Sequence, residues 1–152
     1  MDKWDERYLR LAKEVSTWSK DPSTQVGAIA VLNGTVLAQG YNGFPKYVAD
    51  DEAKLQDREI KYKYTVHAEM NCIFNAALNG VSLYGSTLYI YPLPACHECA
   101  KGIIQVGIER VVSPVFEDEF TQKRWEKSCE TTFSMFEEAG VEYDLIKGFT
   151  NV

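Results

Sequence analysis

After one hairpin, strand-like and helix-like segments alternate along the chain, and that alternation leaves few architectures open. Gln25 to Leu32 is rich in Val, Ile and Ala and reads as a buried strand. Asn33-Gly34 is a strong two-residue hairpin turn, so Thr35 to Gly40 should return as the antiparallel partner. The pattern then reads helix (Ala68 to Leu78), strand (Thr87 to Tyr91), helix (Cys96 to Gln105), strand (Arg110 to Ser113), helix (Gln122 to Ala139) and strand (Val141 to Ile146). Asn79-Gly80 stops the first of these helices and Gly140 closes the last. Upstream, Trp4, Tyr8, Leu11, Val15 and Trp18 recur at helical spacing and predict an opening helix from about Trp4 to Ser19, broken by Asp21-Pro22-Ser23. A helical crossover lets the last two strands lie parallel, where a tight turn would force antiparallel pairing. The expected fold is α/β: a three-layer α/β/α arrangement around a five-stranded mixed sheet, with helices on both faces.

A length of 152 residues suits one domain, residues 1–152. The net charge is −6 and no block of Lys or Arg stands out, which argues against a nucleic-acid partner, since phosphate backbones are bound by basic faces. A small anion held by a few placed cations stays open. The longest apolar run, Val26 to Leu32, is too short to span a membrane. The opening residues, Met1 to Arg7, lack the apolar core of a signal peptide, so a cytoplasmic location is expected. In that setting four cysteines favour metal binding over a disulfide framework. The segment from Asn42 to Tyr64 is the most polar; it reads as a solvated loop with a short exposed helix, or else as a flap over a ligand.

Two short strings carry the chemistry: His67-Ala68-Glu69 and Cys96-His97-Glu98-Cys99. They offer one imidazole, two thiolates and a carboxylate. Zinc held by three protein ligands and a water is the catalytic arrangement, whereas structural zinc takes four protein ligands. Cys96 and Cys99 are three apart and can clamp one ion from the first turn of their helix, whose N-terminus favours thiolates. His67 and Glu69 are two apart, roughly 200° around a regular helix. Both can face one site only if His67 stands at the very start of the helix. Glu69 is then free to shuttle protons, and zinc, by lowering the pKa of its water to about 7, makes hydroxide available. That chemistry suits replacement of an exocyclic ring amine by oxygen. Alone, a histidine is more often structural, and a lone C-x-x-C can be a redox pair or half a structural site; the ordered combination is what selects catalytic zinc. His97 should point outward, and Cys72 and Cys129 should be small core residues.

With these motifs the chain resembles the zinc-dependent deaminases of the cytidine deaminase superfamily, whose signature is H-x-E with P-C-x-x-C. Within it the chain is similar to the deoxycytidylate deaminases, through Asp21-Pro22-Ser23-Thr24-Gln25-Val26-Gly27-Ala28, Gly40-Tyr41-Asn42-Gly43-Phe44-Pro45, Thr65-Val66-His67-Ala68-Glu69-Met70-Asn71 and Cys99-Ala100-Lys101-Gly102-Ile103-Ile104-Gln105. The resemblance implies a cytidine-deaminase-like fold and the hydrolysis of dCMP to dUMP and ammonia, supplying dUMP for thymidylate synthesis. It implies one catalytic Zn2+ per subunit on His67, Cys96 and Cys99, with Glu69 moving protons to ring N3 and to the leaving amine. The Ala68 N–H would meet the base carbonyl and Asn42 the deoxyribose hydroxyl. Thr65 and Val66 would flank the substrate, and Ser23 and Thr24 would contact the phosphate, with weaker help from Lys123 or Arg124. It further implies a homo-oligomer, a hexamer, activated by dCTP with Mg2+ and inhibited by dTTP. The regulatory nucleotide would bind near Gly40, Tyr41, Asn42, Gly43 and Phe44, helped by Lys46, Lys54, Arg58 or Lys61.

Two departures stand out. Ala95, not proline, precedes Cys96, with Pro94 one earlier; and no Cys or His occurs between Asn42 and Val66, so a second, structural zinc is not expected. The rival readings are a sister zinc deaminase acting on tRNA adenosine or a free base, and a zinc-held nucleotide-sensing module without turnover. The acidic chain counts against tRNA, and Glu69 counts against the module.

Overall fold

The computed structural model describes residues 2–115 and 118–149. The elements are α1 (Lys3–Ser16), β1 (Gly27–Leu32), β2 (Thr35–Tyr41), α2 (Glu52–Gln56), α3 (Arg58–Tyr64), α4 (Ala68–Leu78), β3 (Thr87–Tyr91), α5 (His97–Gln105), β4 (Arg110–Pro114), α6 (Glu119–Ala139) and β5 (Glu142–Ile146). The five strands form one sheet in the order β2-β1-β3-β4-β5. β1 is antiparallel to both neighbours, while β3, β4 and β5 run parallel, joined by the crossovers α5 and α6. The mixed sheet with parallel last strands is the expected one.

Side chains alternate across the sheet with period two and so build two cores. Ala28, Ala30, Leu88, Ile90 and Val111 pack with Cys72 and Ile73 of α4, Ile103 of α5 and Phe136 of α6. Ile29, Val31, Tyr89 and Val112 pack with Leu9, Ala12 and Val15 of α1. These are the three layers. The hairpin turn works because Asn33 (φ 51°) and Gly34 (φ 74°) both adopt the left-handed backbone that this turn requires.

Two helices press directly on the sheet backbone. A Cβ on Gly40 would lie 2.2 Å from the Cys72 amide nitrogen and 2.5 Å from the Ala68 carbonyl oxygen, so only glycine lets α4 sit where it does. On the opposite face a Cβ on Gly27 would lie 2.1 Å from the Ala12 carbonyl oxygen of α1. α4 is also stitched to the edge strand: Asn75 Nδ2 donates to the Gln39 carbonyl and Asn71 Nδ2 to the Tyr41 carbonyl, each at 2.8 Å.

Under α1, Arg110 forks onto Asp5 with two bonds of 2.9 Å, and the Tyr89 hydroxyl donates to the same carboxylate at 2.7 Å. The Arg110 guanidinium therefore holds the Asp5 carboxyl below its usual range, although burial opposes it. Arg110 Nε also reaches Asp144 at 2.8 Å.

The structure departs from the expected boundaries where capping or side-chain pairing intervenes. α1 stops at Ser16 rather than Ser19, because the amides of Thr17, Trp18 and Ser19 each bond three residues back, the tighter turn common at helix ends. β1 opens at Gly27 rather than Gln25, because the Val26 amide is taken by the Asn42 side chain at 2.9 Å instead of by a strand. α6 begins earlier, at Glu119, capped by Asp118, whose carboxylate accepts from the Thr121 amide at 2.6 Å. The polar segment holds two short helices, not one, each started by an aspartate cap, Asp51 and Asp57. Among the described residues, no helix is long and apolar enough to cross a membrane.

Candidate active site

His67 is the N-cap of α4, with extended backbone (φ −68°, ψ 154°), and so stands just outside the regular helix. That is the condition under which His67 and Glu69 can share a site. The approach to His67 is fixed by a two-way backbone bridge: the Gly43 amide donates to Val66 at 3.1 Å and the Val66 amide to Gly43 at 2.8 Å. Cys96 is likewise an N-cap, of α5, and its sulfur accepts from the Cys99 amide at 3.5 Å.

The two motifs meet. His67 Nδ1 lies 3.4 Å from Cys96 Sγ and 3.3 Å from Cys99 Sγ, and all three atoms fall within 4.8 Å of one another. Tetrahedral zinc, with Zn–S near 2.3 Å and Zn–N near 2.0–2.1 Å, would separate such a nitrogen and sulfur by about 3.6 Å. The donor set and its spacing therefore fit a zinc ion. The charges point the same way. Hydrogen bonds from Cys99 and His67 pull the Cys96 thiol down to about 4, while the neighbouring Cys96 and burial push Cys99 up. Two adjacent thiols cannot both ionise unaided, and a divalent cation removes that conflict. His97 stays out of the cluster: its Nδ1 contacts Ser128 Oγ at 2.9 Å. Cys72 is fully buried, and burial pushes its thiol up to about 12.

Glu69 is buried beside this cluster, with only 4% of its surface exposed, and burial raises its carboxyl above the ordinary range against the pull of His67. The first turn of α4 has no side-chain cap, which leaves the start of this helix able to receive an acceptor.

A cavity of about 720 Å³ opens over these groups, a size typical of small-molecule sites. Of the residues singled out in the sequence, Ser23, Thr24, Asn42, Thr65 and Ala68 line it together with His67, Glu69 and Cys96. Cys99 and Val66 stand outside the lining. The Asn42 amide is engaged by the chain itself, donating to the Thr24 carbonyl at 2.8 Å and accepting from Val26. It thereby locks the loop that carries Ser23 and Thr24. Asp21 shapes the same loop by accepting from the Ser23 amide at 2.8 Å and the Thr24 amide at 3.1 Å.

The residues grouped around Gly40 to Phe44 divide. Arg58 and Lys61 line the cavity. Lys61 is no flap residue reaching into solvent: it is buried, donating to Asp21 Oδ1 at 3.2 Å and Ser23 Oγ at 3.1 Å. Gly40, Tyr41, Gly43, Phe44, Lys46 and Lys54 lie outside the lining. Gly40 packs against α4, and Tyr41 meets Trp18 edge-on with ring centres 6.1 Å apart. Phe44 packs on Tyr64, with Lys54 Nζ 5.6 Å over the same ring, and Lys46 Nζ donates to Asn75 at 3.1 Å.

Sequence reasoning missed Tyr62, Phe120 and Trp125, which add aromatic walls. Cys129, expected in the core, is half-buried and also lines the cavity, because α6 turns that face towards α5 and the site. Of the two cations suggested for the phosphate, Arg124 lines it as well, whereas Lys123 does not. Tyr62 and the α6 side chains carry no local signal of a site; what brings them in is the tertiary packing of α3 and α6.

A family model described as the cytidine and deoxycytidylate deaminase zinc-binding region matches residues 2–114. A probable deoxycytidylate deaminase of Drosophila melanogaster is 40% identical over 151 residues, covering 92% of this chain and 70% of the fly protein. The deoxycytidylate deaminase of Homo sapiens is 36% identical over 151 residues, covering 92% of this chain and 78% of its own length. Among solved structures, the dCMP deaminase of the cyanophage S-TIM5, in complex with dCMP and dUMP, superposes with a TM-score of 0.73 at 28% identity, covering 96% of this chain and 99% of the phage protein.

Proposed function

The chain belongs to the cytidine and deoxycytidylate deaminase family, and from that premise we propose that it hydrolyses dCMP to dUMP and ammonia, with residues 1–152 acting as one deaminase domain. The observation that carries this reading is the meeting of His67, Cys96 and Cys99 beside the buried Glu69 on the wall of one nucleotide-sized cavity. When bound, zinc lowers the pKa of a coordinated water to about 7 and so supplies the nucleophile for C4 of the cytosine ring.

The remaining work falls to the chain. His67, Cys96 and Cys99 hold the ion. Glu69 takes one proton from the water and delivers it to ring N3, then takes the second from the new C4 hydroxyl and delivers it to the departing amine. Its burial suits this, because desolvation raises the carboxyl above the ordinary range and so favours the form that carries the proton. The uncapped Ala68 N–H donates to the base carbonyl. Thr65 and Asn42 meet the substrate from the cavity wall, Asn42 at the deoxyribose hydroxyl, while Val66, outside the lining, only carries the backbone bridge that leads to His67. Ser23 and Thr24 lie on the loop suited to the phosphate.

The proposal extends to regulation: a cytoplasmic homo-hexamer that supplies dUMP for thymidylate synthesis, activated by dCTP with Mg2+ and inhibited by dTTP. In support, Tyr41, Phe44, Lys46 and Lys54 stand outside the substrate cavity; Tyr41 and Phe44 flank Asn42 and Gly43 in the chain, and Lys54 lies over the Tyr64 ring on which Phe44 packs. An effector at that surface can bias the segment leading to His67.

The test is ammonia release from dCMP, CMP, deoxycytidine and cytosine, with and without dCTP plus Mg2+ or dTTP. Turnover should be greatest with dCMP; equal turnover of deoxycytidine would refute the nucleotide assignment. Substitution of Tyr41 or Lys54 should alter the effector response more than basal turnover, and equal loss of both would sink the regulatory reading.

A further inference from the structure

Two polar side chains of α6 reach across to the segment that carries Cys96. The Thr132 hydroxyl donates to the Ala95 carbonyl at 2.9 Å, and the Ser128 hydroxyl oxygen accepts from the His97 amide at 3.1 Å. The His97 ring closes on the same serine, with Nδ1 2.9 Å from Oγ. Ser128 and Thr132 stand four apart on one helix and so share a face, which Phe136, four further on, continues into the core. A helical threonine commonly turns its hydroxyl back onto the carbonyl one turn earlier, as Thr131 does on Lys127 at 3.1 Å. Thr132, fully buried, instead aims its hydroxyl out of the helix. Valine would fill the same space with no polar atom to satisfy, so packing alone does not call for threonine there.

The two backbone contacts straddle Cys96. The Ala95 carbonyl belongs to the peptide group before it, and the His97 amide to the peptide group after it. Peptide groups are planar, so only the φ and ψ of Cys96 lie between them. With both groups gripped from α6, those angles are held at −74° and 165°. This is the extended N-cap conformation from which Cys96 Sγ receives the Cys99 amide and lies 3.4 Å from His67 Nδ1. An untethered turn would leave both angles soft. In the deaminase signature a proline stands before the first cysteine, and its ring stiffens that approach; Ala95 has no ring to do so.

We infer that Ser128 and Thr132 are positioning residues for the metal site: by fixing the peptide groups on either side of Cys96 they keep its sulfur aimed at the point shared with His67 and Cys99, in place of the absent proline. This rests on the zinc-site reading and extends it to α6, whose Trp125 and Cys129 also wall the cavity.

Thr132→Val removes the hydroxyl at nearly constant shape, Thr132→Ser keeps it, and Ser128→Ala frees the His97 amide. The full chain, stripped of metal, would be titrated with Zn2+ against a competing chelator, and with Co2+ while its ligand-field absorption, which follows the geometry around the ion, is recorded. Thr132→Val and Ser128→Ala should each weaken Zn2+ binding by roughly tenfold to a hundredfold, the loss usual for groups that orient metal ligands, and should shift the Co2+ bands. Thr132→Ser should stay near wild type on both readouts, and so should Thr131→Val, whose lost hydroxyl serves its own helix. Wild-type affinity and bands in either Thr132→Val or Ser128→Ala overturn the inference. So does a Thr132→Ser protein as impaired as Thr132→Val, which would reduce Thr132 to packing. If Thr132→Val does not fold, Ser128→Ala alone decides by the same criterion, since Ser128 is only half-buried. A wild-type chain that takes up Zn2+ but releases no ammonia from dCMP would defeat the proposed function and leave this inference to be judged by the Co2+ spectra; one that binds neither ion would overturn both.

Discussion

The Gly40-Tyr41-Asn42-Gly43 element contains two glycines for which the structure requires opposite outcomes on substitution. In Gly40→Ala the new methyl would meet backbone of α4 at 2.2 and 2.5 Å, where ordinary contact begins near 3.4 Å. Neither atom is the end of a flexible side chain, so the helix itself must retreat by roughly an ångström. Overpacking costs about 1–3 kcal/mol, and a rigid obstacle belongs at the upper end. Alanine in a strand returns about 0.5–1 kcal/mol of that relative to glycine. The net loss is about 2–2.5 kcal/mol, and a urea slope near 2 kcal/mol per molar turns it into a midpoint lower by about 1–1.3 M. Because the obstructed atoms include the Ala68 carbonyl, next to His67 and Glu69, zinc should also be surrendered more readily to a competing chelator. Gly43→Ala meets nothing within 4 Å and needs no left-handed backbone, so it should stay within about 0.5 kcal/mol of wild type. Urea unfolding with chelator competition on both variants decides the matter. A Gly40→Ala protein with the wild-type midpoint, or a Gly43→Ala protein equally damaged, would refute the close-packing argument.

Glu69→Gln should retain zinc by elemental analysis and lose turnover by about 10²- to 10⁴-fold, the usual weight of a proton-transferring group; loss of metal together with activity would instead make Glu69 a ligand or a structural residue. Cys96→Ser should lose bound zinc, and chelator treatment of the wild type should abolish turnover in a way that added Zn2+ restores; full activity without metal would contradict the donor geometry. Arg110 depresses the Asp5 carboxyl, so its contribution to stability is complete above the unfolded value near 3.9 and is lost as pH falls through the lower folded value. Asp5→Asn should therefore cost about 2–3 kcal/mol at pH 7, where Arg110 keeps only Asp144, and its urea midpoint should approach that of wild type towards pH 2. A gap between the two that is the same at pH 7 and pH 2 would count against the pair.

Local chemistry explains which parts of this molecule could be read in advance. Asn33-Gly34 can only turn, Gly140 (φ 78°) ends α6 in the left-handed cap, and the strands declare themselves by period two. The metal cluster was legible because its spacing fixes where the helix starts must fall. The stretch from Asn42 to Tyr64 was not, since its helices bury almost nothing and so leave no apolar period to detect. Lys61 against Asp21 and Ser23, and Arg124 against Tyr62, are contacts between elements far apart in the chain. Sequence spacing says nothing about which exposed cation will meet which loop; only the packing of α3 and α6 around the cavity does.

The placement of His67 and Cys96 at helix N-caps has a consequence beyond ligation. Asp2 and Asp118 begin α1 and α6 by accepting amide hydrogens from the first turn, and these helices carry their own nucleating group. α4 has no such side chain. An ion joining His67 to the first turn of α5 staples two helix origins together, so occupancy and local order become one equilibrium. Amide exchange at the starts of α4 and α5 should then follow metal concentration, while the sheet interior exchanges only with global unfolding. A zinc ion bound there would act as a helix initiator supplied from solution.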